Sequence, residues 1–330
     1  MDMDPKIFNE SIKRGDFKRV YLLYGEERYL VHHYADSLTA AIGEPDNFEG
    51  ASSIEKIINA ADTLPFLTEK RLIRVRDSKL FVSGRKADSE TMTAYLPNVP
   101  DSTVLIFIES EVDRRGRLFK KAVEMGGVME CETPSPQILT TWLARLFKEQ
   151  GKTIDPTAAN LLLRYSAHNM TSLVQETKKL AAYVGENPNI TPQDIQAICS
   201  PTLQTRVFDL IGAMGNAQAP DALNMYHNML LMKEQPLMIL AMIIRQFRII
   251  LMVKAAEEKR MPKAQMTKAL GLRSFVIDEA LNQGKRFSIQ RIISALEDCQ
   301  DTDIKVKTGL ISAEIGVELL ILTYGRKAAL

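Results

Sequence analysis

The chain has 330 residues, with 42 Lys and Arg, 41 Asp and Glu, and a formal net charge of +1. Apolar residues make up 45% of the sequence and charged residues 25%, which is typical of globular proteins and excludes a disordered or fibrous chain. The length predicts two or three domains, and the balanced charge excludes a global electrostatic attraction to nucleic acid or anionic lipid.

The sequence predicts neither a secretory signal nor a membrane span. Residues 1–6 are acidic and contain no apolar segment of the kind that a signal peptide requires. In the most apolar stretch, residues 236–253, three polar residues interrupt the run before it reaches the ~18 apolar residues of a membrane span. We therefore expect a buried helix in this stretch and a cytoplasmic protein without a membrane partner.

The amino-terminal part of the chain alternates β-branched runs with helical patterns, which predicts a mostly parallel sheet covered by helices on both faces. Four runs are predicted to be strands, at residues 20–24, 72–75, 104–108 and 128–131. A weaker fifth strand is predicted at residues 47–49.

Pro134 and Pro136 predict a hinge, because proline fixes φ and biases the preceding residue away from helix. Beyond them, apolar residues recur at spacings of three and four, which predicts helices and no further strands. We expect a sheet domain over residues 1–136, a small helical lid over residues 137–205 and a helical collar over residues 206–330. Helix starts are predicted at residues 155, 191, 236 and 288, and a last helix over residues 304–324.

The turn after the first strand is where a P-loop NTPase carries its phosphate-binding loop. That loop has the pattern G-x-x-x-x-G-K-[S/T], because backbone N–H groups wrap the phosphates while Lys and a hydroxyl hold phosphate and magnesium. Here Gly25 is followed by Glu26 and Glu27, and the pattern occurs nowhere in the chain. The sequence therefore predicts no nucleotide hydrolysis and no cofactor.

No other residues form a recognisable catalytic or metal site. Glu109 ends the strand predicted at 104–108, but a Walker B motif expects an Asp-Glu pair that holds magnesium. The four histidines lie at no metal-ligand or triad spacing from a Cys, Ser or carboxylate; they are His32, His33, His168 and His227. We therefore predict surface or packing roles for these residues.

Several short blocks, each weak alone, become specific through their order and spacing. They are residues 20–30, 64–72, 105–107, 113–120, Trp142, 173–183, 207–210, 245–248 and 303–309. With these blocks the sequence resembles, along nearly its whole length, the delta subunits of bacterial DNA polymerase III clamp loaders. Gly25-Glu26-Glu27 is similar to the G-E-E that replaces the phosphate loop in that family, and residues 64–72 are similar to its Leu-Pro-Leu-Phe-Gly-x-x-Arg block.

The resemblance implies an AAA+-like parallel-sheet domain, a small helical lid domain and a carboxy-terminal helical collar. It implies a non-catalytic subunit of a DNA-directed DNA polymerase holoenzyme, which binds and opens the sliding clamp (the beta subunit) for loading onto primed DNA. The other implied partners are the motor subunits and delta prime, which join the collar in a ring-like pentamer.

The resemblance also implies a clamp-binding site, because a hydrophobic pair in the second block of the family inserts into a pocket on the clamp. That pair maps onto Phe66 and Leu67, flanked by Leu64 and Pro65, although the usual Leu-Phe order is reversed and Thr68 replaces Gly. The alternative is that Phe66 and Leu67 cap the preceding helix against the sheet.

Other interpretations of the sequence remain open. One is an ATP-hydrolysing AAA+ loader subunit, which the fold pattern alone allows. Another is a helical DNA-binding protein, because residues 254–268 are locally basic, although two glutamates dilute the charge. Arg245, Gln246 and Arg248 form either a polar stripe on a collar helix or a contact with a neighbouring subunit.

Overall fold

The computed structural model describes residues 3–66 and 68–326. The chain divides into two compact units at Thr133–Pro134, the start of the predicted hinge. The first unit contains a parallel sheet with helices, and the second is almost entirely helical. The predicted mixture of an α/β part and an α part is therefore confirmed, whereas the separation of lid from collar stays a prediction.

All five predicted strands of the sheet are present. Their bounds are β1 Val20–Tyr24, β2 Asp46–Glu49, β3 Arg71–Arg76, β4 Thr103–Glu109 and β5 Val128–Glu130. They pair in parallel in the order β2-β3-β4-β1-β5. β1 and β4 are buried at every residue because helices cover both faces of the sheet, so their sequences are continuous apolar runs.

Five helices and a 3-10 turn at Leu96–Asn98 surround this sheet. The helices are α1 Pro5–Arg14, α2 Arg28–Ile42, α3 Ile54–Asp62, α4 Lys86–Tyr95 and α5 Arg117–Met125. Side chains alternate across the strands, so Tyr21 and Leu23 pack with α1 and α2 on one face. Leu22 packs with α3, α4 and α5 on the other.

The second unit contains eleven helices among the described residues. They are α6 Pro136–Glu149, α7 Pro156–Tyr165, α8 Met170–Tyr183, α9 Pro192–Ile198, α10 Leu203–Gly215, α11 Ala219–Leu231, α12 Pro236–Glu258, α13 Lys263–Leu270, α14 Ser274–Gly284, α15 Ile289–Lys307 and α16 Ala313–Tyr324. Asp155, Thr191 and Ser288 are N-cap residues, as predicted. The predicted helix start at Pro236 is also confirmed.

Two expectations for this unit are wrong. Strands do not end at the hinge, because β6 Thr153–Ile154 pairs in parallel with β7 Asn189–Ile190. The last helix does not run through residues 304–324, because α15 ends at Lys307 and α16 begins at Ala313. Gly309 reverses the chain with a φ of 76°, and the side chain of Ser312 accepts a hydrogen bond from the amide of Ile315.

α12 is the one helix within the described residues that is long and apolar enough to cross a membrane. It packs instead against α10, α14 and α15. Eight of its residues are buried in the core of the helical unit: Ile239, Leu240, Ile243, Phe247, Ile249, Ile250, Val253 and Ala256. The prediction of a buried helix in this stretch is confirmed.

Candidate functional site

The loop between α3 and β3 presents apolar side chains to solvent. We call residues 64–67 the tip. Phe66 is 94% exposed and Leu64 is 73% exposed, while Pro65 is half-buried. Leu67, the second residue of the predicted pair, lies outside the described residues. The alternative in which Phe66 caps α3 against the sheet is wrong, because almost the whole side chain is in solvent.

Exposure of a phenylalanine and a leucine close together is unfavourable in a chain that functions alone. Burial of either side chain is worth about 1.5–3 kcal/mol, yet the fold leaves both in water. Contiguous exposed apolar residues of this kind mark interaction surfaces. The tip is therefore suited to insertion into an apolar pocket of another molecule.

Hydrogen bonds from neighbouring elements hold the end of α3 that leads into the tip. The Tyr95 hydroxyl, at the end of α4, donates to Oδ1 of Asp62 at 2.5 Å. The Thr103 hydroxyl, at the start of β4, donates to the carbonyl of Ala61 at 2.7 Å. Burial and the Asp62 carboxylate raise the pKa of Tyr95, so its hydroxyl remains a donor at neutral pH.

Arg71 fixes the other end of the loop. Its Nη2 lies 2.6 Å from Oδ2 of Asp46, and its Nε donates to the same oxygen at 2.8 Å. Its Nη1 also donates to the carbonyl of Thr63 at 3.5 Å, which links the two ends of the loop. Lys70 Nζ donates to the carbonyl of Asp101 at 2.8 Å. Anchoring of both ends lowers the conformational entropy that the tip would lose on binding.

An open groove of about 200 Å³ lies beside the tip. Phe66 and Pro65 form one side, and the loop between α2 and β2 contributes Gly43 and Glu44. A partner that received Phe66 would also meet this groove, which is lined by two acidic and two basic residues, Glu44, Asp46, Lys70 and Arg71.

The turn at the phosphate-loop position is packed against the segment that follows β5. Gly25 has a φ of 133°, and a Cβ there would lie 2.4 Å from the carbonyl oxygen of Cys131. The amide of Glu27 donates to that same carbonyl at 3.0 Å, and the amide of Cys131 donates to the carbonyl of Tyr24 at 2.7 Å. A phosphate at this position would have to displace residue 131 and would face the Glu26 and Glu27 carboxylates.

Glu109 has a structural environment. It is 2% exposed, and its Oε1 accepts hydrogen bonds from the amide of Ser78 at 3.1 Å and from its hydroxyl at 2.5 Å. Burial raises the pKa of Glu109, and these hydrogen bonds oppose that effect. The carboxylate thereby holds the turn in which Asp77 and Lys79 adopt positive φ angles.

The polar residues singled out on α12 separate into two groups. Arg245 and Arg248 are exposed, and their contact with a neighbouring subunit stays a prediction. Gln246 is held within the helical unit, because its Nε2 donates to Oε1 of Gln283 at 2.8 Å.

Two cations of the locally basic stretch at residues 254–268 are also engaged. Lys254 donates to the carbonyl of Gly284 at 2.9 Å, and Lys263 pairs with Asp278 at 2.5 Å. The Asp278 carboxylate offsets the charge of Lys263, and the bond to Gly284 holds the Lys254 ammonium against the helical unit.

The parallel sheet has the strand order β2-β3-β4-β1-β5. The turn at the phosphate-loop position is acidic, and a helical unit follows the sheet. Together these features define an AAA+-like subunit without a phosphate loop. Residues 21–132 match the family model described as DNA polymerase III, delta subunit. Residues 204–324 match that of the DNA polymerase III delta subunit, C-terminal domain. The chain belongs to the DNA polymerase III delta subunit family, which confirms the resemblance seen in the sequence.

Relatives match over most of their length. DNA polymerase III subunit delta of Bacillus subtilis is 26% identical over 329 residues, covering 95% of this chain and 94% of that protein. A probable DNA polymerase III subunit delta of Aquifex aeolicus is 21% identical, covering 78% of this chain and 77% of that one. The solved Bacillus subtilis DNA clamp loader delta protein has the same fold, with a TM-score of 0.77, 24% identity, and coverage of 97% of this chain and 99% of that chain.

Sequence reasoning found the tip and missed the residues that anchor it. Tyr95 and Thr103 lie 33 and 42 residues from the atoms that they hold. The sequence carries no local signal for these contacts, because the sheet and α4 create them. Arg71 stands within the second family block, but its link to Thr63 became visible only in the structure.

Proposed function

We propose that this chain binds a ring-shaped sliding clamp through the tip and opens the ring for loading onto primed DNA. The observation that carries the proposal is the 94% exposure of Phe66 on a loop anchored at both ends. Membership of the delta family supports it, as does the solved relative described as a DNA clamp loader delta protein.

Insertion of Phe66 into a clamp pocket would remove its ring from water and contribute about 1.5–3 kcal/mol to binding. Binding alone does not open a ring. A ligand shifts a conformational equilibrium only by its differential affinity for the two states. The tip must therefore bind the open interface of the clamp more tightly than the closed one, and its anchored base helps because a fixed loop cannot adapt to both.

In this proposal the chain itself is not catalytic and binds no cofactor. The packing of Cys131 against Gly25 and the acidic turn support this assignment. Nucleotide turnover would belong to the motor subunits, which with delta prime and this chain would form the loader around primed DNA. The chain would act in the cytoplasm as a non-catalytic subunit of the polymerase holoenzyme.

The test is a titration of the sliding clamp from the same cell with the full-length chain. Phe66→Ala should weaken binding by about tenfold or more, as expected for a buried aromatic anchor. Ile7→Ala is the matched control, because Ile7 is 59% exposed on the same unit but remote in sequence from the tip. Unchanged affinity of Phe66→Ala would remove the assignment, and ATP turnover by the isolated chain would favour an active ATPase.

A further inference from the structure

The face of β3 that is covered by α2 carries two arginines, Arg74 and Arg76, two positions apart. Side chains at this spacing point to the same side of a strand, with Cα atoms roughly 7 Å apart. Central strands of parallel sheets are normally apolar, yet Arg74 is only 7% exposed and Arg76 is half-buried. Burial and the charge of Arg76 lower the pKa of Arg74, so the arrangement carries an electrostatic cost.

Helix α2 adds two more basic side chains to this face. Arg28 and His32 are four residues apart and therefore neighbours on the helix surface. Burial lowers the pKa of His32, and the charges of Arg28, Arg76 and Arg74 lower it further. The two elements are in contact, and Arg28 donates to Ser110, two residues beyond the β4 residue that pairs with Arg76. We call Arg28, His32, Arg74 and Arg76 the basic cluster.

Carboxylates balance this cluster only in part, and Asp36 and Glu44 are the acidic groups whose charges act on Arg74. Asp36 is 3.9 Å from Nη1 of Arg74, but it is largely exposed. Glu49 stands in register with Arg76 on the edge strand, yet no ion pair joins them. Asp77 is engaged by the hydroxyl of Ser110 at 2.7 Å.

Two donors of the cluster lack acceptors. Nε of Arg74 and Nε of Arg76 are buried, and neither has a hydrogen-bond partner among residues 3–66 and 68–326. Arg74 otherwise donates to the Thr39 hydroxyl, and Arg28 donates to the Ser110 hydroxyl at 3.3 Å. A buried N–H without an acceptor is unfavourable. A ligand with several anionic oxygens would offset the like charges, and a rotation of the two side chains toward it would give both N–H groups an acceptor.

We propose that the basic cluster binds an oxyanion of the phosphate class. Guanidinium groups pair with tetrahedral oxyanions through charge-assisted and often bidentate hydrogen bonds. This site shares no residue with the tip.

The same chemistry has two sources, a small free anion such as pyrophosphate or a phosphodiester of single-stranded DNA. The full-length chain would be titrated with each probe at low ionic strength, because salt screens such contacts. The variants are Arg76→Gln and Arg28→Gln. The control is Arg14→Gln, which removes an exposed guanidinium on α1 that pairs with Glu10.

We expect saturable binding, at one site per chain, of at least one probe. Arg76→Gln and Arg28→Gln should each weaken it about tenfold, because each removes one charge-assisted contact, and Arg14→Gln should leave it unchanged.

Binding of pyrophosphate alone would identify a small anion as the ligand, whereas binding of the oligonucleotide alone would identify a phosphodiester. Circular dichroism and a melting curve verify that each variant is folded. If Arg76→Gln unfolds, Arg28→Gln provides the test, because Arg28 is exposed and its replacement should leave the fold intact. The absence of saturable binding by both probes, or equal affinity in a folded variant and the wild type, would overturn the proposal.

Discussion

Removal of the Tyr95 hydroxyl tests whether the base of the tip is held in place for binding. Tyr95→Phe deletes the 2.5 Å hydrogen bond to Asp62, the last residue of α3 before the loop. Asp62 is exposed, so we expect the bond to contribute about 0.5–1 kcal/mol to the free energy of unfolding, the lower part of the usual range.

The same change should reduce clamp affinity. A loop that is less fixed before binding loses more entropy on insertion, at about 0.5–1.5 kcal/mol for each side chain that becomes ordered. Taking the lower part of that range, we expect clamp binding to weaken about twofold to fivefold.

Three measurements on one variant separate a positioning role from a purely structural one. They are urea denaturation, clamp titration and amide hydrogen exchange of residues 63–70. Tyr183→Phe is the control, because Tyr183 is 54% exposed on α8. Lower stability with unchanged clamp affinity and unchanged exchange in the loop would refute the reasoning.

Two further predictions concern the turn at the phosphate-loop position and the buried Glu109. Gly25→Ala should lower the free energy of unfolding by more than about 2 kcal/mol, because strain at positive φ adds to a clash with the Cys131 carbonyl. Gly151→Ala, at a φ of 70° with open space around it, should cost only about 1 kcal/mol in the same urea titration, and equal costs would contradict the packing argument. Burial raises the pKa of Glu109 in the folded chain above its unfolded pKa near 4.5. The contribution of Glu109 to the free energy of unfolding is therefore complete below the unfolded pKa and is lost as the pH rises through the folded pKa. Glu109→Gln should therefore become more stable relative to the wild type between pH 4 and pH 7, and a pH-independent difference in melting temperature would count against this.

The sequence predicted the sheet well where burial is complete. β1 and β4 are apolar throughout because helices cover both faces, and such runs are readable without a structure. β2 gave a weaker signal because it is a short edge strand with mostly exposed residues. β6 and β7 have two residues each, too few to produce a pattern.

Features that depend on long-range contacts were not predictable from the sequence. The break between α15 and α16 occurs at a glycine within an otherwise helical pattern, and such glycines are tolerated in many helices. For the candidate site, resemblance identified Phe66, but its exposure depends on how α3 meets the sheet. Arg74 and Arg76 were part of a predicted strand, and only the packing of α2 revealed that they lie beside Arg28 and His32.

The most direct test of the central claim is a ring-opening measurement. A sliding clamp labelled with a fluorophore pair across one subunit interface would be mixed with the wild-type chain or with Phe66→Ala. At concentrations that saturate binding of both forms, the wild type should separate the two labels and Phe66→Ala should separate them less. Equal separation by the two forms would show that the Phe66 side chain does not open the ring and would contradict the account.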